Sequence, residues 1–281
     1  VEYLKPKKIE EAVTFAEKRD RSLYIAGGTD LSILFFDSKI KPEVLIDITD
    51  LEELKILEER KEGLYLGAAV LISQLANLKT IKWMPLCLAQ GAGAIGSPQI
   101  RNLATLGGNI CNASPCGDTL APLVVLDAVF KLRSTQGIRE VPVLDFFIGP
   151  KRTIRKEKEL LEAVIIPKES LNGISGFFKT GKRKGQTISQ VNSAVYIKKE
   201  GGRVSKIRIA AGSVAPTPIR LKKAEEAVIK GNLEEIESAV LEEIKPISDI
   251  RGSEEYRRIV TAKAIKEMVV ILLKEDSRNE N

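Results

Sequence analysis

The 281-residue chain contains no histidine. That absence excludes Ser-His-Asp hydrolysis, histidine-ligated zinc and a flavin tethered through imidazole, and leaves open redox chemistry carried by a bound cofactor. Cysteine is scarce: Cys87, Cys111 and Cys116 are the only three. An odd number rules out a complete disulfide framework and points to a reduced, intracellular setting. Cys111 and Cys116 have the C-x4-C gap of one iron–sulfur pattern, but a four-thiolate cluster needs a fourth cysteine, so none is expected here. Aromatic residues make up 5% of the chain, which leaves few platforms for stacking single-stranded bases. Long apolar runs are missing as well. Val1 to Lys8 hold nothing of signal-peptide length, and the runs near Leu120–Phe130 and Met268–Leu273 are too short to span a bilayer. A cytoplasmic protein without a membrane span is expected.

What is present is the composition of an ordinary folded protein, 43% hydrophobic and 29% charged. The net charge of +6 would suit a nucleic-acid partner, but Lys and Arg are interleaved with 38 acidic residues, and phosphate binding needs charge gathered on one face. The one dense basic run is Lys179-Thr180-Gly181-Lys182-Arg183-Lys184. No nucleic-acid partner is expected.

The patterning predicts an α+β protein in three successive regions. The first fifty residues read as strand, helix, strand, loop, helix, strand. Ile9, Ala12, Val13 and Ala16 recur at helical spacing, and Ser22–Ala26 is a short apolar run ending in Gly27-Gly28. Leu31, Leu34 and Phe35 mark a second helical face, and Val44–Asp47 is strand-like. From about Leu54 to Pro167, short strands (Lys55–Glu58, Gly63–Ala68, Val129–Leu132, Glu159–Ile166) alternate with helical stretches at Leu71–Asn77 and Thr119–Asp127. The segment from Gly91 to Asp118, rich in Gly, Asn, Ser and Pro, reads as a long functional loop. From near Gly176, strands at Gln190–Lys198 and Val204–Gly212 precede helices at Leu221–Lys230, Leu233–Ile244 and Glu254–Leu273, the order of a separate α+β domain. The expected domains are 1–170, with subdomains of about 1–53 and 54–170, and 171–281, linked near Pro167–Gly173.

Two glycine-rich stretches carry the chemistry. Ala26-Gly27-Gly28-Thr29-Asp30 follows a strand, and glycine there permits positive φ and lets backbone N–H groups approach an anion. Thr105-Leu106-Gly107-Gly108-Asn109 runs on through Asn112 and Ser114 to Asp118, giving many small donors and a carboxylate suited to ribose hydroxyls. A tight structural turn would explain either stretch alone. Together they suggest a diphosphate gripped from two sides, as a large dinucleotide such as FAD requires. Neither is a P-loop, since no Gly-Lys-Ser/Thr follows. Gly91-x-Gly93-x-x-Gly96 has the spacing of a nicotinamide-dinucleotide fingerprint, yet Pro85–Gln90 before it reads as helix where the fingerprint needs a strand.

These and further motifs run in order along nearly the whole chain. Ala26-Gly27-Gly28-Thr29-Asp30-Leu31, Gln99-Ile100-Arg101-Asn102-x-Ala104-Thr105-Leu106-Gly107-Gly108-Asn109, Ser114-Pro115-x-x-Asp118, Phe147-x-Gly149, Phe178-Lys179, Ala215-Pro216-Thr217-Pro218-x-Arg220 and Arg251-Gly252-Ser253-x-x-Tyr256-Arg257-Arg258 resemble the FAD-binding medium subunit of molybdenum hydroxylases, the group of xanthine dehydrogenase and aerobic carbon monoxide dehydrogenase. The resemblance implies a two-part FAD-binding domain of the vanillyl-alcohol-oxidase type and a smaller α+β domain like the C-terminal one of carbon monoxide dehydrogenase flavoproteins. By the same likeness Ile25, Ala26, Gly27, Gly28, Thr29, Asp30 and Leu31 would wrap the diphosphate. Thr105, Gly108, Asn109 and Cys111 would close from the other side, with Ala104 and Asn112 in the same cradle. Asp118 would take ribose or ribityl hydroxyls, Ile95 and Ile100 would line an apolar wall, Leu161 would pack on the isoalloxazine, and Lys179 would reach the flavin edge. Read without the resemblance, Leu161 is a core residue, Lys179 a surface lysine, and Arg257 and Arg258 capping or ion-pairing residues.

The function implied is that of an electron-transfer subunit with non-covalent FAD, no metal ligand and no catalytic side chain. The molybdenum cofactor would sit on a large partner and [2Fe-2S] clusters on a small one, with electrons leaving to NAD or another acceptor. The alternatives are a freestanding flavin-dependent oxidoreductase of the same fold, like the reductase of muramate synthesis, and a basic nucleic-acid-binding protein.

Overall fold

The computed structural model describes residues 1–77, 84–183 and 185–279, so Lys184 of the basic run lies outside the described residues. Strand β1 (Glu2–Leu4), helix α1 (Ile9–Lys18), strand β2 (Ser22–Ile25), helix α2 (Leu31–Phe36) and strand β3 (Val44–Asp47) follow the expected order. The strands form a parallel sheet, β1-β3-β2, with Val44 opposite both Glu2 and Ser22. α1 buries Ile9, Ala12, Val13 and Ala16, the face its spacing dictates, with Glu10 and Glu11 in the first turn and Lys18 in the last, the arrangement the helix dipole favours. α2 departs from expectation: it is helical but buries none of its residues, and Phe36 is 86% exposed. A six-residue helix entered straight from the Gly27-Gly28 turn stays beside that turn and never reaches the core.

The middle region comprises β4 (Leu57–Arg60), β5 (Gly63–Gly67), α3 (Ile72–Leu75), α4 (Leu86–Gly93), α5 (Pro98–Arg101), α6 (Leu106–Asn112), α7 (Leu120–Val125), β6 (Val129–Ser134), β7 (Gly137–Pro142), α8 (Val143–Phe146), β8 (Phe147–Gly149), β9 (Arg152–Thr153) and β10 (Leu160–Pro167). Its main sheet is antiparallel in the order β4-β5-β10-β6-β7. β4 starts later than expected because a 3-10 turn, closed by the Lys55 N–H on the Glu52 carbonyl at 3.0 Å, occupies the preceding residues. β7 has no apolar alternation to betray it: it is an edge strand that buries only Val141. The expected long loop from Gly91 to Asp118 is corrected by the structure, which places the end of α4 and all of α5 and α6 there. Side-chain caps explain the two short helices. Ser97 Oγ accepts from the Ile100 N–H at 3.3 Å, and Thr105 Oγ1 accepts from the Gly108 N–H at 3.1 Å. α4 also bears out the helix read ahead of Gly91-x-Gly93-x-x-Gly96.

The last region, β11 (Ile174–Thr180), β12 (Val191–Glu200), β13 (Arg203–Gly212), β14 (Ile219–Arg220), α9 (Lys222–Ile229), α10 (Ile236–Glu243) and α11 (Glu254–Asn279), is an antiparallel sheet in chain order followed by helices. Alternation in β12 and β13 sends Val195, Ile197, Ile207 and Ile209 into the core with the helices, and Ala194, Tyr196 and Ala210 into the core of the middle region. Fully buried Arg208 fastens that second face: it donates to the Val125 carbonyl and Ser170 Oγ, both at 3.1 Å, and pairs with Asp127 at 2.5 Å. Among the described residues no helix is long and apolar enough to cross a membrane.

Candidate functional site

A cavity of about 480 Å³ lies between the N-terminal sheet and the middle region, within the range of roughly 300–1,000 Å³ usual for small-molecule clefts. β2 delivers its turn to the cavity wall. The amides of Gly27, Gly28, Thr29 and Asp30 donate to no other group among the described residues. Gly28 has a φ of +66°, a conformation in which a side chain is strained. Gly27 is required by a close approach: a Cβ built on it would lie 1.7 Å from the Leu103 carbonyl oxygen. The turn thus rests directly on the backbone that leads into α6. A row of unpaired amides on a cavity wall offers an anion fixed donors.

The second glycine stretch behaves differently. The Leu106 N–H donates to the Val70 carbonyl at 2.9 Å, the Gly107 N–H to the Ala68 carbonyl at 2.8 Å, and the Gly108 N–H to its capping threonine. The expectation of bare amides on both sides is therefore corrected, because the α6 amides are already taken. Gly107 serves packing, since a Cβ there would lie 2.7 Å from that of Ala68. What α6 turns to the cavity is side chains, among them Asn109, Cys111 and Asn112. Asn109 Oδ1 accepts from Thr119 Oγ1 at 2.6 Å, leaving its NH2 group to donate. Burial pushes the Cys111 thiol pKa up, against the pull of the Arg155 guanidinium beside it.

All the expected site residues lie on the cavity wall except two: Ile25 to Leu31, Ile95, Ile100, Ala104, Thr105, Gly108, Asn109, Cys111, Asn112 and Leu161. Leu161 is at once a wall residue and, at 3% exposure, part of the core. Asp118 and Lys179 lie off the wall and pair with each other. Lys179 Nζ stands 2.6 Å from Asp118 Oδ2 and donates also to the carbonyl of Ala94, the neighbour of Ile95, at 2.8 Å. Ser189 Oγ and Asn192 Nδ2 both donate to Asp118 Oδ1. The surface lysine is thus one half of a buried ion pair. Burial raises the Asp118 carboxyl pKa, and the nearby ammonium draws it back.

Arg257 and Arg258 act structurally. Arg257 donates to the Ser213 carbonyl at 2.8 Å and pairs with Asp249 at 2.7 Å, while Arg258 donates to the carbonyls of Leu241 and Ile244. The wall residues that escape the sequence reading include two cations, Lys151, between β8 and β9, and Arg155, just after β9. Their one signal is position, directly behind the Phe147-x-Gly149 motif.

Residues 1–169 match the family described as the FAD binding domain in molybdopterin dehydrogenase, and residues 176–270 match the carbon monoxide dehydrogenase flavoprotein C-terminal domain. The chain is 32% identical over 271 residues to the xanthine dehydrogenase FAD-binding subunit of Escherichia coli O157:H7, covering 92% of each protein. It is 32% identical to the glyceraldehyde dehydrogenase medium chain of Sulfolobus acidocaldarius, covering 95% of this chain and 97% of that one. A structure of carbon monoxide dehydrogenase from Hydrogenophaga pseudoflava, lacking the Mo-pyranopterin moiety, superposes with a TM-score of 0.90 at 30% identity over 96% of each chain.

Proposed function

Because this chain belongs to the family of FAD-binding domains in molybdopterin dehydrogenases, we propose that it is the electron-transfer subunit of a molybdenum hydroxylase complex. In this reading the chain takes electrons from [2Fe-2S] clusters of a small partner subunit and passes them to NAD or another acceptor, while a large partner with the molybdenum cofactor oxidises the substrate. Residues 1–170 form the cofactor-binding domain and 171–281 a second domain that contributes Lys179, and the complex is cytoplasmic.

The observation that carries the reading is the row of uncommitted amides from Gly27 to Asp30 on the wall of a cavity that also has an apolar side. Those amides and the Thr29 hydroxyl hold the diphosphate of FAD. Thr105, Asn109 and Asn112 offer side-chain hydrogen bonds from α6 and its cap, and Ile95, Ile100 and Leu161 give the rings an apolar surface. When bound, FAD supplies a centre that takes up and releases electrons singly or in pairs. Lys179 has one N–H beyond those given to Asp118 and Ala94, and it is the charge proposed to tune the cofactor's surroundings.

The test is purification from the native source, followed by an absorption spectrum and metal analysis. A yellow-brown assembly with two further polypeptides, molybdenum and iron is expected. A yellow chain that arrives alone and turns over a small substrate would instead be a freestanding flavin oxidoreductase. A colourless one with steeply salt-dependent nucleic-acid binding would overturn both readings.

A further inference from the structure

The diphosphate cradle has amides on one side only, since those at the start of α6 are spent within the protein. A diphosphate held there keeps much of its charge facing the opposite wall. Four wall residues carry a formal charge that bears on it, Asp30, Glu159, Lys151 and Arg155. Glu159 is neutralised by both arms of Arg139 at 2.7 and 2.9 Å, while Asp30 accepts, among the described residues, only from the neutral Asn112 Nδ2, at 2.9 Å. Lys151 Nζ donates to Asn112 Oδ1 at 2.6 Å, and Arg155 NH1 donates to the carbonyls of Lys156, Glu157 and Glu159. Among the described residues, neither meets a carboxylate.

We propose that Lys151 and Arg155 are the cationic second wall of the diphosphate site, facing the Gly27–Asp30 amides. The proposal rests on the reading of the cavity as a FAD site and names the residues that complete it. Lys151 is placed for this role by its backbone. It has a φ of +59°, with its N–H fixed on the Ala113 carbonyl at 2.9 Å, and Asn112 links its ammonium to Asp30 at the end of the cradle. Two of its N–H donors remain free. Arg155 braces its own turn through NH1 and bonds the Cys111 thiol on the wall, which leaves part of its five-donor guanidinium for an anion. The affinity of the site is thereby concentrated on the diphosphate rather than on the flavin ring.

The experiment titrates the full-length, flavin-stripped chain with FAD, ADP and riboflavin at low and high salt, in the wild type and in Lys151→Ala, Arg155→Ala, Lys151→Arg and Arg155→Lys. Each alanine variant is expected to weaken FAD and ADP by roughly 10- to 100-fold and to flatten the salt dependence. The conservative variants should recover most of the affinity, and riboflavin binding should not change. Alanine variants that fold normally and bind FAD and ADP as the wild type does would overturn the proposal, and so would an equal loss of riboflavin binding. Lys151 braces no main-chain carbonyl through its side chain, so Lys151→Ala keeps the test decisive if Arg155→Ala misfolds. A folded wild type that binds neither FAD nor ADP would remove the underlying reading, a different result from wild-type binding that the variants leave untouched.

Discussion

Replacing Gly27 by alanine is the sharpest perturbation of the cradle. The new Cβ would lie 1.7 Å from the Leu103 carbonyl oxygen and 2.5 Å from its carbon, both of them backbone atoms that no rotamer change can move aside. Restoring even a 3.0 Å contact requires the turn and the Leu103 backbone to part by about 1.3 Å. A hydrogen bond of about 2.9 Å stretched by that much is no longer a hydrogen bond. Bonds to charged groups contribute about 1.5–3 kcal/mol each. Loss of two would therefore cost about 3–6 kcal/mol and weaken FAD binding by roughly 150- to 25,000-fold. Gly28→Ala is the matched control: its Cβ meets only the Ile25 side chain at 3.5 Å, so the expected cost is the left-handed backbone penalty of about 1–2 kcal/mol, without displacement of the turn. The assay is titration of the flavin-stripped protein followed by flavin fluorescence, with circular dichroism as the check on folding. A folded Gly27→Ala protein that binds FAD like the wild type would refute the reasoning.

The buried pair gives a second prediction. Lys179→Ala strands the buried Asp118 carboxylate without its cation, at a cost of about 3–5 kcal/mol; adding Asp118→Asn should recover part of it. Urea unfolding checks this, and an unchanged midpoint for the single variant would contradict the pairing. A third concerns acid. Burial pushes Glu162 up, but Arg133, Lys131 at 2.7 Å and their charges outweigh it and hold its pKa below the ordinary 4.5. Its stabilisation is therefore present above that value and lost as pH falls through the depressed one. Glu162→Gln should flatten the acid limb of the stability profile, and parallel profiles for the two proteins would show that Glu162 contributes nothing there.

The legible parts of this molecule are those in which a local pattern decides the structure. The α1 face and the Gly27-Gly28 turn at the end of β2 could be read directly, because spacing and glycine report burial and backbone conformation. α5 and α6 could not, since the residues that cap short helices, Ser97 and Thr105, are the same ones that mark loops. Reading Thr105 as a bare ligand donor missed its first task, which is to hold the Gly108 N–H. The Asp118–Lys179 pair spans 61 positions and links the middle region to β11, so only the fold reveals it. Lys151 and Arg155 look like any surface cations until the β8–β9 hairpin sets them on the cavity wall.

The account stands most directly on flavin uptake by the chain itself. Incubated with FAD and then desalted, the folded protein should leave the column yellow, with stoichiometric flavin and a resolved visible band. A well-folded protein that elutes colourless under every reconstitution condition would contradict it.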